Sequence, residues 1–258
     1  MRILFLGDVV GKVGRQAVKA VLPDLILSHE PDFTIINAEN SAAGFGITPD
    51  IAEELIKLGA DGITLGNHAF HRQEIEAYLE SSSKIVRPAN YPPGVPGKGW
   101  TVLKKNSLRL GLANLCGRVF MGDYDDPFRT MEAILQESET RCWFVDFHAE
   151  ATSEKMAFAW HFDGRVSAIV GTHTHVQTSD ERILPGGTAF LTDVGMCGPK
   201  DSVIGMDRDI VLRRFLTQMP HRFEVARSPG VICGVVIDVN AEDGRAESIE
   251  RIQIRDIG

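Results

Sequence analysis

The stretch that decides the fold is VSAIVGTHTHVQTSD, residues 166–180. A short run of small and apolar residues leads into Gly171, and two histidines follow, one residue apart. Short runs of this kind read as buried strands. A single histidine just beyond such a strand is usually a hydrogen-bonded core residue. His173 and His175 face the same side if the backbone stays extended. That spacing reads as two ligands aimed at one place.

The same pattern recurs along the chain. Apolar runs stand at RILFL (2–6), FTIIN (33–37), GITL (62–65), RLGLANL (109–115), RCWFVDF (141–147), TAFLT (188–192) and VICGVVIDV (231–239). Helical patterns lie between the early ones. RQAVKAVLPDLILSH carries Val18, Val21, Leu22, Leu25 and Ile26 at helical spacing, with Pro23 expected to kink or split it. TPDIAEELIKLG opens with a threonine cap, Pro49 and early acids, and stops at Gly59. Further helices are expected at 128–138, 153–162 and 208–218. Alternation of strand and helix argues for an α/β sheet with parallel neighbours. WTVLKK and RLGLANL, joined by a short turn, suggest a hairpin; VICGVVIDVN and SIERIQIRD suggest a second. The expected fold is α/β, with two mixed β-sheets packed face to face and helices outside, in a single domain spanning 1–258.

Bulk properties narrow the function. The chain has 258 residues, 43% hydrophobic content and a formal net charge of −8. Nucleic-acid binding rests on neutralising phosphates, so a general nucleic-acid binder is not expected. A local site for a small phosphorylated ligand remains open. Cys116, Cys142, Cys197 and Cys233 are widely spaced, which argues against zinc knuckles and a disulfide framework. MRILFLGDVV is too short an apolar run for a signal peptide, and no run is long enough to span a membrane. The expectation is a cytoplasmic protein with no membrane partner.

The polar residues fall at the ends of the runs. RILFLG ends at Asp8, FTIINA at Glu39 and Asn40, and GITLG at Asn67 and His68. CWFVDF ends at His148 and Glu150, and VSAIVGT at His173 and His175. Open α/β sheets bind ligands at the carboxyl ends of their strands. Convergence there would gather carboxylates, amides and imidazoles, with no thiolate. Such oxygen and nitrogen donors suit Mn, Fe or Zn. They are too many for one tetrahedral zinc, and suit two ions sharing a carboxylate, as in phosphoester hydrolysis.

Each element has a plainer reading. Asp8 could cap the next helix, NAEN (37–40) could be a turn, and His148 could be a satisfied core histidine. His29, His71, His161 and His221 lack a strand-end position and read as surface or structural, with His71 near the candidate site in sequence. GDVVGKVGR (7–15) is glycine-rich but is no phosphate loop of the Walker type, since Lys12 is followed by Val13 and the glycine spacing is short. No GxSxG elbow is present.

Asp8, NAEN, GNH (66–68), the lone His148 and GTHTH (171–175), in that order, resemble the motifs of calcineurin-like metallophosphoesterases. GDVVGKVGR, NAENSAAGFGIT, RPANYP and GTHTHVQTSDERILP are similar to the YmdB-like branch. Val10 replaces the usual histidine of the first motif, Glu39 with Asn40 stands where an aspartate is usual, and Ala69 follows GNH. The resemblance implies a four-layer α/β/β/α sandwich and two divalent ions, Fe or Mn, with Zn also suitable. It implies one ion held by Asp8, Glu39, His175 and Asn40, and a second by Glu39 as bridge, Asn67, His148 and His173. His68 is then the general acid rather than a ligand. The implied activity is phosphodiester hydrolysis of cyclic nucleotides, 2′,3′-cyclic ones above all. Tyr91 in the Pro/Gly-rich 87–100 loop is a candidate to stack on the base, or ordinary packing. A phosphomonoesterase is the alternative, and a metal-bearing regulatory module with incidental activity is another. The partner is a small phosphoester, and a homo-oligomer is expected.

Overall fold

The computed structural model describes residues 1–258. The first half contains β1 (Arg2–Leu6), β2 (Asp8–Val9), α1 (Gly11–His29), β3 (Phe33–Asn37), α2 (Pro49–Lys57), β4 (Gly62–Thr64), α3 (Ile75–Ser81), β5 (Ile85–Val86), β6 (Trp100–Lys105) and β7 (Leu108–Cys116). The second half contains α4 (Pro127–Glu137), β8 (Trp143–His148), α5 (Thr152–His161), β9 (Ala168–Thr172), β10 (Arg182–Ile183), β11 (Ala189–Leu191), β12 (Met196–Pro199), α6 (Arg208–Thr217), β13 (Gly230–Val239) and β14 (Ala246–Ile257).

Both sheets are mixed. The first runs β2-β12-β13-β1-β3-β4-β5, with β14 also paired to β13. Its β1, β3, β4 and β5 are parallel, while β13 is antiparallel to β1, β12 and β14. The second runs β10-β11-β9-β8-β7-β6, parallel from β11 to β7 and antiparallel at both edges.

Strand alternation explains the layers. Ile3 and Phe5 of β1 face the second sheet, where they pack with Leu112, Phe144 and Val170. The Phe5 and Phe144 ring centroids are 5.0 Å apart. Leu4 and Leu6, one residue out of phase, join Val18, Leu22, Ile51, Leu55 and Leu79 from α1, α2 and α3. On the far side of the second sheet, Trp143, Val145 and Phe147 pack against Met131 of α4, Phe158 of α5 and Phe162 just after it. The result is the four-layer α/β/β/α sandwich. No helix is long and apolar enough to cross a membrane.

Local chemistry sets the helix ends. Thr48 accepts a hydrogen bond from the Ile51 amide and Pro49 opens α2; Asp126 caps α4 and Asp207 caps α6. One expectation fails at Pro23, where α1 runs unbroken from Gly11 to His29. Pro23 lies on the exposed side, so water can serve the carbonyl freed one turn earlier. The apolar face through Val18, Leu22 and Leu25 holds the helix to the sheet. Asn106 takes a left-handed φ of 56° in the tight β6–β7 turn, as that hairpin requires.

The inter-sheet layer carries the stability. Phe144→Ala should cost about 3–5 kcal/mol in urea unfolding, the range for emptying a buried aromatic site. Leu27→Ala, at a site 78% exposed, should stay within about 0.5 kcal/mol. Equal effects would contradict this packing.

Candidate metal centre

Five strand ends, from both sheets, meet at one rim. Asp8 stands in β2, immediately after β1. This short strand is held in parallel register against β12 by the Met196 and Cys197 pairings. Gly7 allows that approach, since a Cβ there would lie 1.9 Å from the Gly195 carbonyl oxygen. After β3, the Asn37 side chain accepts from the Glu39 amide at 3.2 Å, and Ser41 Oγ donates to the Ala38 carbonyl at 2.7 Å. This turn aims Glu39 and Asn40 inward, and both are buried. Gly66 must be glycine for a different reason. A Cβ would sit 2.2 Å from Glu39 Oε2 and 2.6 Å from His148 Nε2, inside the donor cluster.

His173 and His175 are oriented by a different backbone from the expected one. β9 ends at Thr172, and the two histidines take φ of 100° and 67°, in the left-handed region. The pair is not extended. Such angles cost about 1–3 kcal/mol each and persist only when the surroundings enforce them. Thr174, between them, supplies the restraint: its amide and hydroxyl donate to Asp193 Oδ2 at 3.2 and 2.8 Å. Buried Lys155 donates to that same oxygen at 2.7 Å, and the Gly195 amide donates to Oδ1 at 2.9 Å.

Three side-chain atoms gather around His148 Nε2. Asn67 Oδ1 is 2.9 Å away, His173 Nδ1 3.1 Å and Glu39 Oε1 3.1 Å. One donor atom each of Glu39, His148 and His173 lies within 4.8 Å of the others. On the other side of Glu39, Oε1 accepts from Asn40 Nδ2 at 2.9 Å, and that amide also meets His175 Nε2 at 3.2 Å. Asp8 Oδ2 accepts from the His173 amide at 3.2 Å, while buried Oδ1 has no partner. That unsatisfied oxygen is 3.8 Å from His148 Nδ1 and 3.9 Å from His175 Nε2.

Each histidine is turned by a partner at its other nitrogen. The Ile204 carbonyl can only accept, so at 2.8 Å it fixes the proton on His175 Nδ1 and leaves Nε2 facing Asn40. Glu150 Oε2, 3.2 Å from His173 Nε2, leaves Nδ1 free toward His148. His148 Nδ1 lies 2.8 Å from Thr172 Oγ1, which donates to Asp146 Oδ1 at 2.6 Å. Second partners of this kind orient metal-binding imidazoles.

Protonation follows from the crowding of negative charge. Burial alone would push His148 down, but Glu39 and then Asp8 override it and raise it to about 9. Burial pushes Asp8 up to about 6 against the pull of His175 and His148. Burial also works to raise Glu39, yet His148 holds that carboxyl below the ordinary range. Burial, then the His148 charge, depresses His173 to about 3. Glu39 Oε1, Asn67 Oδ1 and His173 Nδ1 thus converge on His148 Nε2. A divalent ion suits the mixed oxygen and nitrogen donors there, and the unpartnered oxygen of Asp8 suits a further one.

His68 lines the cleft above these atoms. Its amide donates to Glu39 Oε2 at 3.0 Å, and burial holds its imidazole below the usual histidine value. His71, read from sequence as surface or structural, lies with Nδ1 3.3 Å from His68 Nδ1. One ring must donate and the other accept, so the two share a proton. Tyr91 does not line the cleft; it packs edge-on between Phe70 and Tyr124. Asp146, Thr172, Asp193 and Lys155 went unread as site residues. Asp146 was detectable, because it stands two residues before His148 on one face of β8.

Known proteins resemble this chain over nearly its whole length. A 2′,3′-cyclic-nucleotide 2′-phosphodiesterase of Bacillus subtilis (strain 168) is 52% identical over 258 residues, covering 99% of this chain and 98% of the relative. The crystal structure of a hypothetical protein from Thermus thermophilus superposes with a TM-score of 0.94 at 43% identity, covering 99% of this chain and 100% of the other. A novel phosphatase from Mycoplasma pneumoniae superposes with a TM-score of 0.95 at 36% identity, covering 100% of this chain and 94% of the other. The family model described as YmdB-like protein matches residues 4–252. The chain belongs to the YmdB-like family.

Proposed function

We propose that the protein is a dinuclear-metal phosphodiesterase acting on cyclic nucleotides, 2′,3′-cyclic ones above all. The observation that carries this reading is the clustering of Glu39 Oε1, Asn67 Oδ1 and His173 Nδ1 around His148 Nε2, beside the unpartnered buried oxygen of Asp8. The name of the Bacillus subtilis relative supports the substrate class.

Asp8, Glu39, Asn40 and His175 hold one ion in this reading, and Glu39, Asn67, His148 and His173 the other. Glu39 Oε1 stands between the two sets, 2.9 Å from the Asn40 amide and 3.1 Å from His148 Nε2. Asn40 would contribute its side-chain oxygen to the first ion. Bound divalent ions supply Lewis-acid activation of water and charge stabilisation for the phosphoryl oxygens. Water, losing its proton to solvent, forms a bond to phosphorus while the bond from phosphorus to one ribose oxygen breaks. His68 gives that oxygen its proton. His71, across the shared hydrogen bond, is placed to return a proton to His68. The Asp193–Thr174 bonds hold both histidines of GTHTH in place before any ion arrives.

The second reading is a phosphomonoesterase, favoured by the phosphatase description of the Mycoplasma pneumoniae structure. A panel of mono- and diesters separates the two. Turnover restricted to monoesters would reject the proposal.

Three expected outcomes test the centre. His173→Ala or Asn67→Ala should leave about one ion per chain by elemental analysis, and abolish hydrolysis of bis-p-nitrophenyl phosphate. His68→Ala should keep both ions and lose about 10²–10⁴-fold in kcat, the usual contribution of a general acid; full activity would remove its assigned role. Thr172→Val leaves His148 Nδ1 without its partner, and should weaken metal binding about 10–100-fold in a chelator competition. Unchanged affinity there would show that Thr172 does not orient the ligand.

A further inference from the structure

Glu39, Asn40, His173 and His175 form the floor of a cleft of about 490 Å³, within the range of single small-molecule sites, about 300–1,000 Å³. One wall is apolar. Phe45, Ile204, Met206, Phe215 and Phe223 line it. Phe215 on α6 is 78% exposed and Ile204 is 51% exposed. Large apolar side chains at the mouth of a polar-floored cleft gain by being covered. Phe223 is braced from outside, with the Arg214 guanidinium 4.8 Å from its ring centroid. The wall and the floor are one unit, because the Ile204 carbonyl holds His175 at 2.8 Å.

Charge limits the occupant. No lysine or arginine lines the cleft, and Glu150 adds a negative charge beside His173. The floor can take one phosphoryl group once it holds cations. A second phosphate would find no lysine or arginine in the lining and would meet Glu150. The occupant therefore carries one phosphate and a flat, weakly polar group within a single nucleotide's reach. Beyond the floor donors, His68, Thr174 and Glu150, the lining offers no polar side chain to read a base edge.

We infer that this wall is the base subsite, where Phe215 takes the nucleobase of a one-phosphate cyclic nucleotide by stacking, without selecting among the four bases. The inference rests on the phosphodiesterase reading of the floor. Stacking on aromatic side chains is sequence-tolerant because every base has a π-face.

The test uses the full chain with its metals, and Phe215→Ala and Phe215→Trp variants. Two quantities are measured. One is equilibrium binding of adenosine and cytidine, which have no phosphate. The other is kcat/KM for the four 2′,3′-cyclic nucleotides relative to ethylene phosphate, a five-membered cyclic diester with no base. The expected result is similar kcat/KM across the four bases. Phe215→Ala should weaken nucleoside binding and lower the nucleotide-to-ethylene-phosphate ratio, each about ten-fold, as for one lost base–aromatic stack. Phe215→Trp should restore both. A ratio unchanged in Phe215→Ala, or a strong preference for one base that survives it, overturns the base subsite while leaving the phosphodiesterase reading intact. Nucleoside binding that depends on Phe215 without turnover of any cyclic diester rejects the phosphodiesterase reading and leaves the stacking wall.

Discussion

The carboxylate of Asp146 is the constraint on which the rest depends. It is fully buried where the two sheets meet, and it accepts hydrogen bonds from both. Asn37 at the end of β3 donates at 2.9 Å and Thr64 at the end of β4 donates to the same oxygen; Thr172 at the end of β9 donates to the other. Burial pushes this carboxyl upward, and the His148 charge and these three donors oppose it. One acceptor thus fixes the relative position of three strand ends. Those ends carry the turns that present Glu39, Asn67 and His173. Through Thr172 the same carboxylate also sets the rotation of His148. The geometry of the donors is inherited from the contact between the sheets.

The centre is built under electrostatic and backbone tension. Glu39, Asp8 and Asp146 surround His148, and their charges raise that ring against its burial. Two adjacent histidines sit at unfavourable φ, kept there by Thr174, Asp193 and Lys155. Such departures from local preference concentrate at functional sites. Here they have a common purpose: the lone pairs already converge, so little reorganisation is left for ligand binding.

Much of the architecture could be read from the chain. The apolar runs gave the main strands because buried strands need continuous Ile, Val and Phe, and the helix caps at Thr48 and Gly59 marked α2. The short strands β2, β5, β10 and β12 were invisible, since two to four residues carry no periodicity and MCGP contains both glycine and proline. Pro23 does not split α1, because the packing of the helix's apolar face overrides the local cost of proline. For the centre, the polar residue after each apolar run was the signal, and all eight marked side chains, Asp8, Glu39, Asn40, Asn67, His68, His148, His173 and His175, lie at one rim. Their partners were harder. Lys155 and Asp193 stand far apart in sequence and meet only through tertiary contact. The left-handed backbone at His173 left no mark in the sequence, so the right convergence was expected for the wrong reason.

The order of the strands has a further consequence, for how the chain is made. β1 has β3 on one side and β13 on the other, and β13 begins only at Gly230. Asp8 is held in β2 by β12, which begins at Met196. The first donor to leave the ribosome is thus among the last to be locked in place. A nascent chain can complete most of the second sheet, including β8 and β9, while Asp8 still lacks its neighbour. Closure of the donor set is therefore a late event in folding, and a product that stops just short of Gly230 carries all of these side chains without the framework to bring them together.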